Sequence, residues 1–183
     1  MKKKTLLNII LILFVLSFFV TPLGYEGKIA LNRLFASSVE LIPVSAQKKI
    51  DFDWKLKDRN DVQFNFNQSE GKVVFVNFWS SWRITSTAEL YSIQKLYNDY
   101  KDKVDFYIIT NELPQPVEEM MAKRGFDFNV TYLIIGEKMP FDPEVIPSGY
   151  VIDKQGSVVA SQTKGANWNS SEVRQLLDTL LAQ

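Results

Sequence analysis

The sequence predicts an α/β domain with a central mixed sheet flanked by helices, preceded by a β-hairpin and an apolar helix. Three observations lead there. Residues 73–76, VVFV, are a β-branched and aromatic run of the kind that buries both faces of a strand. The chain turns from it through Trp79-Ser80-Ser81-Trp82 into Leu90, Ile93, Leu96, Tyr97 and Tyr100 at helical spacing, and a second apolar run, VDFYIIT at 104–110, follows. Strand, helix, strand in that order predicts a right-handed parallel crossover, while alternation at 52–66 and 157–161 predicts antiparallel hairpins.

Composition excludes several chemistries. The 183 residues suffice for one domain with an extension. Twenty-one basic residues balance 21 acidic ones, so no field favours nucleic acid. There is no cysteine and no histidine. This polypeptide therefore carries no thiolate, no mixed disulfide, no Ser-His-Asp triad and no Cys/His zinc site. Neither EF-hand spacing nor a glycine-rich phosphate loop is present, and no metal or cofactor is expected.

In chain order, Lys2, Lys3 and Lys4 precede an apolar run, 6–20, interrupted only by Asn8 and Ser17. Its length suits either a signal-peptide core or a short span. The following Thr21, Pro22, Leu23, Gly24, Tyr25 and Glu26 offer no small-x-small cleavage site, which favours an uncleaved anchor over residues 1–25, completed at the interface by 21–25. Lysines ahead of the span put the N-terminus in the cytoplasm and the domain outside the inner membrane. Residues 26–50 read as a juxtamembrane linker. Ala30, Leu31, Leu34 and Phe35 suit either a short helix or an ordered connection.

The domain proper is assigned to 51–183. Phe52, Trp54 and Leu56, then Val62, Phe64 and Phe66, form two alternating strands around Asp58-Arg59-Asn60-Asp61. Pro114 and Pro116 lead into a helix over 117–124, with Glu118 and Glu119 early, Lys123 and Arg124 late, and Gly125 as its stop. A short strand at 130–135 and a loop at 136–143 follow. Val173, Leu176, Leu177, Leu180 and Leu181 then form the apolar face of a final helix capped by Ser170 or Ser171.

The turn after residue 78 resembles the active-site stretch of the TlpA/ResA-type family, membrane-anchored thioredoxin-like thiol-disulfide oxidoreductases. In that family a Trp precedes Cys-x-x-Cys at a helix start, followed by an Ala-Glu pair and a proline. Trp82 matches the Trp, and Ala88 and Glu89 match the pair. Arg83 and Ser86 stand at the two cysteine positions, and Tyr91 at the proline. Ile146-Pro147-Ser148-Gly149-Tyr150 resembles the family's cis-proline strand, which implies that Pro147 faces residues 82–86. Gly165-Ala166 and Trp168 resemble the turn before its last helix. The resemblance implies a thioredoxin-like fold and an envelope location, with the reactive sulfurs missing.

Two site residues have competing readings. Ser86 is either a nucleophile or, with Glu89, half of a capping box, and the lack of any base favours capping. Arg83 puts a guanidinium at the positive end of a helix, at a cost of up to about 1 kcal/mol. It either meets an anion or partner carboxylate there, or turns to solvent and stacks on Trp82. Trp82, Arg83, Ile84, Ile146, Pro147 and Tyr150 form the candidate binding surface. The expected role is a redox-inactive module for a protein or peptide partner. The alternatives are a non-catalytic subunit that presents substrate to a cysteine-bearing partner, or an anion site at Arg83.

Overall fold

The computed structural model describes residues 3–141, 143 and 145–183. Met1 and Lys2 of the lysine-rich start, and Asp142 of the predicted loop, lie outside the described residues. An eight-stranded mixed sheet forms the centre, in the order β1-β8-β7-β4-β5-β6-β2-β3. β4 (Val74–Phe78) is buried along its length and lies between β5 (Asp105–Thr110), parallel to it, and β7 (Ser148–Ile152), antiparallel. Because successive side chains point to opposite faces, Val73 and Phe75 enter one core and Val74, Val76 and Phe78 the other. The first core is completed by Leu90, Ile93 and Leu96 of α3 (Ile84–Tyr100), Val117 and Met121 of α4 (Pro114–Arg124), and Val173 and Leu177 of α5 (Ser171–Leu181). The second is filled by Trp54, Leu56, Phe66 and Phe141.

The hairpin forms as β2 (Lys55–Lys57) and β3 (Gln63–Asn65), paired Leu56 to Phe64, and β2 joins the sheet through β6 (Val130–Leu133). Asp58 closes its turn by accepting from the amides of Asn60 and Val62 at 2.8 and 3.0 Å. Val62, which shares the alternating pattern of Phe64 and Phe66, is exposed because it lies at the hairpin tip, beyond the pairing with β6. The α4 helix begins at Pro114 rather than Val117. First-turn amides have no intrahelical acceptor, so Pro114 at N1 costs the helix nothing and supplies a helical φ. At its other end Gly125 takes the left-handed conformation expected of a helix stop, φ 69°.

An apolar helix, α1 (Lys3–Val20), has none of its residues buried and is long enough to cross a membrane, so it fits an anchor. The run read as continuing to Tyr25 divides at Thr21, whose hydroxyl accepts from Gly24 N at 3.1 Å and starts α2 (Pro22–Leu34) with Pro22 in its first turn. α2 lies against α3 and buries Ile29. Arg124 at the end of α4 donates to Glu26 at 2.7 Å and lies over the Tyr25 ring, while Arg33 stacks 4.4 Å from the Tyr91 ring of α3. The two remaining strands are β1 (Glu40–Leu41) and β8 (Val158–Gln162), which pair antiparallel.

Candidate functional site

The candidate site is the bend between β4 and α3. β4 pairing continues to Trp79, whose amide donates to Ile109 O at 3.0 Å, and the chain then reverses over Ser80 to Trp82. Ser86, fully buried, accepts from Ser80 N at 3.3 Å, while Arg83 N donates to Ser80 O at 3.2 Å. Glu112, just past β5, takes Ser81 N at 2.6 Å and Ser81 Oγ at 2.7 Å. One carboxylate therefore fixes the outer side of the bend, and one hydroxyl its inner side. Sequence reading missed Glu112, because it lies 31 residues from Ser81 and no local pattern marks it.

Helix α3 starts differently from the capping-box reading. Its N-cap is Arg83, in extended conformation and without a side-chain cap, so Ser86 already lies inside the first turn. The Ser86 hydroxyl serves the amide of the bend instead. Glu89 turns into the core, where Asn77 Nδ2 donates to it at 3.1 Å, Ala166 N at 3.0 Å and Trp168 Nε1 at 2.6 Å. Three donors in a dry interior outcompete a solvent-facing cap. Burial raises the Glu89 carboxyl to about 7, against the opposing effect of Ala166, Trp168 and Asn77. No arginine or lysine is paired with it among the described residues.

Arg83 spans the two walls of the site. Its guanidinium stacks 4.7 Å from the Trp82 ring, and Nη1 donates to Ile146 O at 3.1 Å. The stacking reading is thus accompanied by an internal acceptor that sequence could not supply, 63 residues away. The Ile146-Pro147 bond is cis, and Pro147 and Thr85 both lie within 4 Å of a Cβ built on Gly165, so the proline loop and the first turn of α3 are neighbours. Ser148 Oγ donates to Val145 O inside that loop.

Of the six candidate surface residues, Trp82 is 66% exposed, whereas Arg83, Ile84 and Ile146 are half-buried and Pro147 is buried. Tyr150 is half-buried. It stacks on Phe141 at 4.8 Å and meets the Phe78 ring edge-on in the second core. Leu113 and Val145, adjoining Glu112 and Ile146, are also exposed apolar residues at this end of the sheet. Chemically, the bend offers a cation, an aromatic face and aliphatic side chains, without sulfur or imidazole.

Comparison with known proteins matches the redoxin family model to residues 45–178. The chain is 24% identical over 186 residues to the thioredoxin-like protein YneN of Bacillus subtilis, covering 97% of this chain and 99% of that one. It is 27% identical to the thiol-disulfide oxidoreductase ResA of Bacillus anthracis, over 87% of this chain and 88% of the relative. Among solved structures, a secreted thiol-disulfide isomerase from Corynebacterium glutamicum superposes with TM-score 0.59 at 16% identity, covering 80% of this chain and 91% of that one. A DsbF homologue from Corynebacterium diphtheriae gives TM-score 0.60 at 12% identity, with 80% and 94% covered. At those identities the structural likeness speaks for the fold.

Proposed function

This chain belongs to the redoxin family, of TlpA/ResA type, and from that premise we propose that it binds a protein or peptide at the β4–α3 bend without exchanging disulfides. Its place is the cell envelope, anchored by α1 with the N-terminus in the cytoplasm and the domain outside, in thiol-redox or protein maturation. The observation that carries the reading is the substitution at the bend. Arg83 stands where the family has its first cysteine, yet the turn and the proline loop remain in contact through Nη1 and Ile146 O. The exposed Trp82 beside it supplies a large apolar face at small cost in side-chain entropy, the kind of residue that anchors interfaces.

Calorimetric titration with thiol-blocked insulin B chain, which cannot form a mixed disulfide, tests this. Saturable binding is expected, weakened at least about tenfold by Trp82→Ala, since central aromatic anchors contribute 2 kcal/mol or more. No heat of binding, or binding indifferent to Trp82→Ala and Ile84→Asp, removes the proposal.

A further inference from the structure

We infer that the cavity between α2, α3 and the 166–169 turn is a binding site for a small oxyanion, a carboxylate or phosphate carried on a short apolar group. The cavity is about 440 Å³, and Arg33, Lys95, Asn167 and Asn169 reach it over a floor of alanines that includes Ala88 and Ala166. That size fits a compact ligand larger than a bare ion.

The chemistry of the lining is one-sided. No acidic residue lines the cavity. Lys95 makes no ion pair or hydrogen bond among the described residues, and Arg33 engages only the Tyr91 ring. Asp99, one turn along α3 from Lys95, is occupied by Arg174 at 2.7 Å. Each of the two amides has its oxygen engaged within the protein. Asn167 Oδ1 accepts from Asn169 N at 3.2 Å, and Asn169 Oδ1 accepts from Arg174 Nη1 at 2.8 Å. Each amide oxygen is thereby turned to an internal donor, which leaves each Nδ2 as an unengaged donor among the described residues. Ser92 is engaged within the protein, because its one hydroxyl proton goes to Glu89 O at 2.7 Å and its oxygen accepts from Trp168 N at 3.1 Å. Two cations and two amide groups thus line the cavity with no carboxylate among them. An oxyanion supplies an acceptor for them, and the alanine floor accommodates its apolar part.

The walls come from the juxtamembrane helix and from the helix that carries the bend. A bound anion therefore ties α2 to α3, next to the membrane anchor.

The test uses the full chain in a neutral detergent, titrated with inorganic phosphate, butyrate and dihexanoyl phosphatidylglycerol at ionic strength matched with chloride. At least one of the three is expected to raise the thermal midpoint where chloride does not. The response should be lost in the Arg33→Gln/Lys95→Gln double variant and in Lys95→Glu. Lys95 is exposed and unpaired among the described residues, so Lys95→Glu should leave the midpoint without ligand in place, whereas the double variant also loses the Arg33–Tyr91 stack and its response is read against its own ligand-free midpoint. Stronger response to the lipid identifies a headgroup, and stronger response to butyrate or phosphate a soluble anion. Absence of any response in the wild type, or an equal response in the variants, overturns the site.

Discussion

Glu89 is a buried carboxyl group held by donors from β4 and from the turn before α5. Ser86-Thr87-Ala88-Glu89 satisfies the local rule for a capping box, but the carboxylate's donors lie on β4 and on the turn before α5. Because the folded protein binds this proton more tightly than the unfolded chain, the stability it contributes is complete below about pH 4 and is lost as pH rises through about 7. The loss amounts to about 3 kcal/mol for a shift of this size. Glu89→Gln keeps an acceptor for Ala166 N and Trp168 Nε1 and removes the charge. Chemical denaturation from pH 4 to 8 should therefore show a falling stability in wild type and a flatter profile in the variant. A wild-type curve with no slope attributable to Glu89 would contradict the burial argument.

At the scale of elements, legibility followed sequence separation. The strand at 74–78, the helix after it and the parallel partner at 105–110 were legible because each carries its own periodicity over many residues. What was hidden is contact between elements: Glu112 to Ser81, Arg83 to Ile146, and Arg124 to Glu26, 98 residues away. The docking of α2 belongs in the same class, since the short amphipathic pattern at 30–35 does not specify its partner. Gly149 is a further instance. A Cβ there would overlap the Trp168 ring that delivers Nε1 to Glu89, so this residue of β7 must be glycine for reasons of close approach. Gly149→Ala is expected to lower stability by about 1–3 kcal/mol through overpacking, and to shift near-ultraviolet dichroism as Trp168 is displaced. An unchanged melting midpoint would show that Trp168 can move freely.

For the whole molecule, the arrangement is a redoxin scaffold whose bend is held by Ser86, Glu112 and Arg83 rather than by sulfur chemistry. The fold was readable because its apolar framework is independent of the reactive residues. The partner was not, since the surface around Trp82 records apolar character and charge without naming what meets them. If the frame is intact, cysteines at the two family positions should function there, because residues three apart at a helix start lie close enough to bridge. The decisive measurement is insulin disulfide reduction in the presence of dithiothreitol by wild type and by Arg83→Cys/Ser86→Cys. The account predicts background rates for the wild type and clear acceleration by the double variant; turnover by the wild type, or a folded double variant that gives none, would contradict it.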